Sequence, residues 1–217
     1  MINHTKLPVM TTTENIIVRK GLPEDAQDFA NLMLLSAPTL FFNIYGPEAK
    51  SVIRYLFRQR KNLFSFEHSY FIEKDGVKAG MIIGYDWKTV RDEKWRTGLL
   101  LIKYMRYKFF AKILLLLKAK NIVGKVEDNE YYISNVAVYP EFRDNKLGTN
   151  LLSKIEREAK RCNAEKSTLD VETNNQNAIR LYKRIGYSVI GKPKRAKIGG
   201  ENFAFSRMCK NYVGYAD

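Results

Sequence analysis

Residues 136–152 constrain the fold of this chain more than any other stretch. They join an apolar, β-branched run, which Pro140 brings to an end, to a polar turn at residues 143–148 and then to the start of a helix. The first N–H groups of a helix have no partner within it, and the helix dipole favours negative charge there. A strand and turn that lead into a helix N-terminus can therefore bind an anion such as a phosphate group.

The composition indicates one folded domain with anionic ligands or partners. The chain has 217 residues, 45% of them hydrophobic, which is enough to build a core. We expect a flexible N-terminal arm over residues 1–15 and a single domain over residues 16–217. The net charge of +14 argues against polycationic substrates such as polyamines.

The cysteines and histidines argue against a metal site. Cys162 and Cys209 are isolated, and His4 and His68 are the only histidines, so neither a metal-ligand spacing nor a His-based triad is present. Isolated cysteines are typical of free thiols in a reducing cytosol, and residues 1–15 lack the apolar segment of a signal peptide. The sequence therefore predicts a cytoplasmic protein without a bound metal.

Helix and strand signals follow one another along the rest of the chain. A helix is predicted from Pro23 until Pro38 stops it, and Asp75-Gly76 is a favoured type I′ turn pair for a β-hairpin over residues 69–85. A basic loop is predicted at residues 192–197, between two closing strands. The other predicted strands lie at residues 16–19, 131–138, 167–173, 187–190 and 203–208, and the other helices at residues 47–60, 149–162 and 178–184.

Residues 87–125 form a long apolar and basic segment. Its centre, residues 99–117, is long enough to span a membrane, but its four basic side chains oppose insertion by about 10 kcal/mol, against about 5 kcal/mol gained from its apolar side chains. We therefore predict no transmembrane segment and expect an inserted helix, or two short ones, packed on the domain. A surface that docks on a membrane or on a partner is the alternative.

Residues 169–187 supply a second motif, which follows that of residues 136–152. It runs from a strand through Asn-x-x-Ala, beginning at Asn175, to Leu-Tyr and Gly-Tyr. With both motifs in this order, the chain resembles the GNAT superfamily of acyl-CoA-dependent N-acetyltransferases, in which a strand, an Arg/Gln-x-x-Gly-x-Gly/Ala turn and a helix come first. The resemblance is close over about residues 131–190 and absent over about residues 87–125.

The resemblance implies an α/β fold with a mixed, mostly antiparallel central sheet, one splayed strand pair, flanking helices and a helical insertion at about residues 87–125. It implies an enzyme that transfers an acetyl group from acetyl-CoA, its cosubstrate, to a primary amine by direct attack. The acceptor is a small-molecule amine or a protein or peptide amine, and the regions expected to line its pocket carry no recognisable motif. The sequence leaves open whether the protein forms a homodimer.

The resemblance also implies where coenzyme A is held. Amides of the central strand, at Val136 and Val138, are expected to bond the pantetheine arm and the thioester carbonyl, and the turn amides the pyrophosphate. Asn175 is expected to contact the cofactor arm. The implied cofactor-binding residues are Val136, Ala137, Val138, Arg143, Asp144, Asn145, Lys146, Leu147, Gly148, Thr149, Asn175, Ala178 and Tyr182.

Two residues are the leading catalytic candidates, Tyr182 and Asp170. Acetyl transfer to an amine needs a neutral nucleophile, a polarised thioester and a proton donor for the sulfur. Tyr182 holds the position of the tyrosine that often protonates the leaving thiolate in the family, and core packing is its alternative role. Asp170 precedes Val171, where N-terminal acetyltransferases of the family often have a glutamate base, and a solvated side chain without a catalytic role is its alternative. Further candidates for the base, which the sequence does not rank, are Glu127, Glu130 and Tyr132.

The turn departs from the family pattern at two positions. Lys146 takes the place of the usual first glycine and forfeits glycine's freedom at positive φ. Asp144 would repel phosphate unless it points outward or caps the helix. Both substitutions predict a change in cofactor affinity, while Arg143, Gly148 and Thr149 match the pattern.

A binding module is the second hypothesis for function. In that case the same fold would use its charge of +14 to hold RNA, a ribosome or another acidic partner. The basic helix at residues 48–61, the insertion at about residues 87–125 and the basic loop at residues 192–197 would supply the surface. The chain lacks aromatic residues interleaved with them in a nucleic-acid-binding motif, which makes this hypothesis the less favoured one.

Overall fold

The computed structural model describes residues 15–212, in which one seven-stranded sheet is flanked by helices on both faces. The predicted N-terminal arm therefore lies, apart from Asn15, outside the described residues. The strands are β1 (Ile16–Lys20), β2 (Ser69–Lys74), β3 (Val77–Asp86), β4 (Glu130–Val138), β5 (Lys166–Glu172), β6 (Ser188–Ile198) and β7 (Glu201–Asn211). The α-helices are α1 (Ala26–Ser36), α2 (Pro38–Tyr45), α3 (Ala49–Arg58), α4 (Trp87–Met105), α5 (Lys108–Ile122), α6 (Leu147–Arg161) and α7 (Gln176–Arg184).

The sheet has the strand order β1-β2-β3-β4-β5-β7-β6, and every neighbouring pair is antiparallel except β4–β5. The predicted hairpin β2–β3 is confirmed, and its turn residues Asp75 and Gly76 both have positive φ, as a type I′ turn requires. The parallel pair β4–β5 is short: it extends only from Glu130 to Ile133 on β4, whereas β4 continues to Val138. The predicted mixed sheet with one splayed pair is therefore confirmed.

Each face of the sheet carries its own apolar core. On the first face, helices α1 to α5 bury a core in which Phe29 and Phe57 stack with their ring centroids 4.1 Å apart. On the second face, α6 and α7 pack on β3, β4 and β5, and α6 buries Leu151, Leu152 and Ile155. These three positions recur at helical spacing, so one stripe of α6 faces the sheet and the opposite stripe faces solvent.

One helix was missed and one local prediction was wrong. Pro38 ends α1, but it also begins α2, which the sequence reading missed. Proline disfavours helical geometry at the preceding residue, where Ala37 has φ −150° and ψ 65°, and is itself well suited to a first helical position. The basic segment 192–197 is not a loop, because it belongs to β6, an edge strand whose side chains are mostly exposed and show no apolar alternation.

The insertion forms two helices, α4 and α5, which pack on the first face. The helices are separated at Arg106, which has φ 53° and therefore cannot continue α4. No single helix among residues 15–212 is long and apolar enough to cross a membrane. The segments 23–36 and 38–58 meet that test only when taken together, and they are bent by 108° relative to each other.

A buried carboxylate, Asp25, ties the start of α1 to the sheet. It accepts hydrogen bonds from Arg19 of β1 and from the Leu22 N–H, and its oxygen lies 2.9 Å from Lys78 Nζ of β3. Burial alone would raise the pKa of Asp25, but the bonds from Arg19, Lys78 and Leu22 outweigh it and lower the pKa to about 2.

We predict that Asp25→Asn lowers the free energy of unfolding by about 3–5 kcal/mol, because it leaves the charge of Arg19 without its buried partner. The pKa of Asp25 is lower in the folded than in the unfolded chain, so its contribution is complete above about pH 4 and is lost as the pH falls towards 2. Urea unfolding as a function of pH measures both effects. A variant whose stability difference from the native chain stays constant between pH 5 and pH 2 would contradict this account.

Candidate active site

The gap between β4 and β5 exposes backbone groups of β4. The Tyr139 N–H donates to the Ala79 carbonyl of the β3 side at 2.9 Å, and successive N–H groups of a strand point to alternate edges. The Ala137 N–H therefore points towards β3, while those of Val136 and Val138 point into the gap. Three residues of this strand are predicted to contact the cofactor. The amides of Val136 and Val138 are free to bind a ligand in the gap, whereas the amide of Ala137 is not.

A β-bulge marks the point where the two strands diverge. Ile83 lies opposite Asn135 but Gly84 lies opposite Ile133, so Ser134 is an extra residue on β4. The last pair of the β4–β5 ladder is Ile133 with Leu169, which places the bulge at the vertex of the gap. The bulge thus ends the parallel pairing and turns the following N–H groups into the opening.

The turn at residues 143–149 leads directly into α6, which begins at Leu147. Within residues 15–212, no backbone N–H from Asp144 to Thr149 donates a hydrogen bond, and the first bonded amide is that of Asn150, which donates to the Lys146 carbonyl. No side chain caps this end of α6. Unused N–H groups at the positive end of a helix dipole fit an anionic group.

The two unusual residues of the turn lie where the backbone conformation favours glycine. Lys146 and Asp144 both have positive φ, 57° and 65°, so Lys146 does occupy a position suited to glycine. The Asp144 side chain is exposed and does not cap α6. Asn145 stabilises the turn itself, because its amide Nδ2 donates to the carbonyls of Phe142 and Arg143.

Helix α7 faces this turn across the second core. A Cβ at Gly148 would meet only Leu181 of α7, at an ordinary contact distance of 3.5 Å, so the packing of the protein itself does not require glycine there. Asn175 caps α7, since its Oδ1 accepts from the Ala178 N–H at 3.1 Å. Five of the predicted cofactor-binding residues share this core: Val136, Val138, Leu147, Ala178 and Tyr182.

The Tyr182 side chain is 7% exposed, and its ring centroid lies 6.0 Å from that of Tyr187. No hydrogen bond to its hydroxyl is formed among the described residues. Burial raises the pKa of Tyr182, so the phenol keeps its proton at neutral pH. Tyr182 is therefore available as a proton donor, and it is a weaker acid than an exposed tyrosine.

Asp170 lies on the opposite face of the sheet from Tyr182. Its neighbour Val171 belongs to the core that contains Tyr182, and successive side chains of a strand alternate between faces. The Asp170 Oδ2 accepts from the Tyr132 hydroxyl at 3.0 Å, from the Gly124 N–H at 2.9 Å and from Arg207 Nη1 at 3.5 Å. The role of Asp170 as the general base stays a prediction.

The same network holds a second buried carboxylate, Glu130. Arg207 Nη2 lies 2.8 Å from Glu130 Oε2, and Lys166 Nζ lies 3.1 Å from Glu130 Oε1. Sequence reasoning named Glu130 and Tyr132 but missed Arg207 and the amide of Gly124. The available signal was an arginine within the apolar strand at residues 203–208, because a buried arginine requires acidic partners.

The fold is that of known acetyltransferases. It is similar to the N-acetyltransferase from Staphylococcus aureus Mu50 (20% identity, TM-score 0.67, covering 89% of this chain and 99% of that one). It is also similar to the ribosomal-protein-S18-alanine N-acetyltransferase from Escherichia coli (13%, TM-score 0.55, 94% and 99%). A third similar structure is the PaiA N-acetyltransferase from Thermoplasma acidophilum in complex with coenzyme A (17%, TM-score 0.50, 91% and 99%). No curated protein matches the chain significantly in sequence.

The splayed sheet and these structural similarities define the fold, and the match to a family model identifies the protein as an acetyltransferase. The chain belongs to the acetyltransferase (GNAT) family, whose model matches residues 39–187. The prediction of the family from the two motifs is thereby confirmed. Among residues 15–212, no group of three or more His, Cys, Asp or Glu side chains is placed to hold a metal ion.

We predict that Arg207→Ala lowers the free energy of unfolding by about 3–5 kcal/mol, because it leaves Glu130 and Asp170 buried without this shared partner. Lys210→Ala is the matched control on the same strand. It breaks the partly exposed pair of Lys210 with Glu156, so we expect a loss below about 1 kcal/mol. Urea unfolding of the two variants measures both free energies. Equal losses of stability in the two variants would contradict the structural role given to Arg207.

Proposed function

We propose that this protein transfers the acetyl group of acetyl-CoA to a primary amine by direct attack of the amine on the thioester. The observation that carries the proposal is the gap between β4 and β5, into which the Val136 and Val138 N–H groups point. The gap and the open turn before α6 both lie at the carboxyl end of β4. A ligand with a thioester at one end and phosphates at the other matches both features.

The residues of the chain fit coenzyme A as cosubstrate. The unused amides from Asp144 to Thr149 would hold the pyrophosphate, with the exposed side chains of Arg143 and Lys146 adding positive charge. Gly148 places no side chain between the turn and α7, and the Nδ2 of Asn175 would be available to a ligand because only its Oδ1 is used in the cap. Bound in this way, acetyl-CoA supplies the activated acetyl group.

The strand amides and Tyr182 would divide the chemistry between them. The Val136 and Val138 N–H groups would polarise the thioester carbonyl and stabilise the negative charge that develops on its oxygen. The amine nitrogen forms the new bond to the carbonyl carbon as the C–S bond breaks. Tyr182 donates its proton to the departing sulfur, and the amine passes its own proton to a base.

The acceptor side of the reaction lies on the first face of the sheet. The network of Asp170, Tyr132, Glu130 and Arg207 is found there, at the vertex of the gap. We keep Asp170 as the proposed base through its second oxygen, Oδ1, since the described donors all contact Oδ2. Both cysteines are free, and burial raises the pKa of each thiol, which suits a cytoplasmic location and an enzyme without a cysteine nucleophile.

Tyr182→Phe is expected to lower kcat by about 100-fold or more while leaving the Kd of acetyl-CoA within about twofold, because it removes the proton donor but not the ring. Release of free thiol from acetyl-CoA, with a panel of peptide, aminoglycoside and amino-acid acceptors, measures kcat. Calorimetric titration measures the Kd.

Tyr187→Phe is the control for repacking of this aromatic pair. The Tyr187 hydroxyl lies 2.5 Å from Ser167 Oγ, so this variant loses a hydrogen bond but no proposed proton donor. We expect its kcat to stay within about threefold of the native value. Equal losses in the two variants, or an unchanged kcat in Tyr182→Phe, would remove Tyr182 from the role of acid.

Asp144→Asn is expected to lower the Kd of coenzyme A by about threefold to tenfold. It removes a negative charge from the turn that would hold the pyrophosphate, and asparagine tolerates the positive φ of this position. The effect should shrink as the salt concentration rises. Asp92→Asn, which removes an exposed charge on α4, is the control and should leave the Kd unchanged. An unchanged Kd in Asp144→Asn would place the pyrophosphate elsewhere.

A further inference from the structure

The insertion presents an apolar surface to solvent on both of its helices. On α4 the exposed residues Trp95, Leu99 and Ile102 follow one another at spacings of four and three. At roughly 100° per residue they lie on the side opposite Leu101, which faces the core. Apolar side chains on the outward face of a surface helix are unusual, because that face is normally polar.

Helix α5 repeats the arrangement. Phe110, Leu114 and Leu117 are exposed and share one side of the helix, opposite the buried Ala119. Tyr107, which is 77% exposed, lies in the connection between the two helices. We call the two stripes and the connection together the insertion face; its residues are Trp95, Leu99, Ile102, Tyr107, Phe110, Leu114 and Leu117.

Basic side chains accompany most of this face. Residues 94–122 contain eight Lys and Arg residues and no Asp or Glu. By the same helical angles, Lys103 borders the α4 stripe, and Lys118 and Lys120 lie on either side of the α5 stripe. The first turns of α4 also carry an exposed ion pair, Arg91 with Asp92. Long basic side chains at the borders of an apolar stripe can keep their apolar stems beside it and reach outward with their charges.

We infer that the insertion face docks on the surface of an anionic lipid bilayer. The apolar stripes are convex ridges on the outside of two helices, so they suit a deformable apolar partner. Tryptophan and tyrosine favour the level of the lipid headgroups, and the bordering lysines complement anionic headgroups. A second copy of the chain would bring two surfaces of the same positive charge together, which disfavours self-association through this face.

Docking would hold the active site close to the bilayer. The segment that follows α5 reaches the splayed strands, where the Gly124 N–H donates to Asp170. Helix α4 has a second contact with the domain just before β2, where Glu93 Oε2 lies 2.7 Å from His68 Nε2. The inference of membrane docking does not depend on the acetyl transfer proposed above, because the residues of the insertion face lie outside the candidate active site.

Sedimentation with sucrose-loaded vesicles tests the inference on the full chain. Vesicles of phosphatidylcholine alone are compared with vesicles that contain about one third phosphatidylserine, at low and at high salt. We expect binding to the anionic vesicles at low salt and a loss of about tenfold or more in the partition coefficient at high salt or without phosphatidylserine. Absence of binding to anionic vesicles at low salt would overturn the inference.

Two sets of variants locate the surface. Trp95→Ser, Leu99→Ser and Leu114→Ser together should lower the partition coefficient about tenfold or more. Lys103→Gln, Lys118→Gln and Lys120→Gln together should lower it about 100-fold. Two control sets remove exposed side chains elsewhere and should change the partition coefficient by less than about threefold. The apolar control set is Val77→Ser, Val189→Ser and Ile190→Ser. The basic control set is Lys192→Gln, Lys194→Gln and Arg195→Gln.

Fluorescence keeps the test independent of variant folding. Vesicle binding of the native chain should shift the emission of the exposed Trp95 to shorter wavelength, and Trp95→Phe should abolish the shift. Binding that is lost only in the control sets would overturn the assignment to the insertion face. The native chain could instead form a dimer and fail to bind vesicles. If that dimer dissociates in the triple serine variant, the face belongs to a contact between two copies and the inference is overturned.

Discussion

The parallel pairing of β4 with β5 stops after four residues, and the proposed site depends on this interruption. Backbone N–H groups inside a protein need partners, so a strand that leaves its neighbour within a sheet exposes amides that only water or a ligand can satisfy. The extra residue Ser134 produces the divergence, and each strand stays anchored on its other side, β4 by β3 and β5 by β7. The gap is thus built into a sheet that is otherwise continuous.

Charge is arranged differently on the two sides of this gap. Towards α6, the open amides and the exposed Arg143 and Lys146 create a positive environment that favours phosphate. On the first face, Arg207 is shared between the buried carboxylates of Glu130 and Asp170, so that their charges are paired before any substrate enters. The Gly124 N–H joins the segment between β3 and β4 to this second arrangement.

The sequence allowed the central part of the structure to be predicted because its signals are local. The strand, turn and helix at residues 136–152 and the Asp75-Gly76 hairpin are encoded by adjacent residues. The pairing of Arg207 with Glu130 was not predictable, because these residues are distant along the chain and meet only when β4, β5 and β7 assemble. The basic strand at residues 192–197 was missed for another reason: its side chains are exposed, so that it forms through pairing with β7 and carries no apolar pattern.

Hydrogen exchange of individual backbone amides, followed by NMR with and without acetyl-CoA, tests the central claim most directly. The account predicts that the Val136 and Val138 amides and those from Asp144 to Thr149 exchange fast in the free protein and become protected at saturation. The Ala137 amide, which points towards β3, should be protected in both states. Saturating acetyl-CoA that leaves exchange at Val136, Val138 and the turn unchanged would contradict the account.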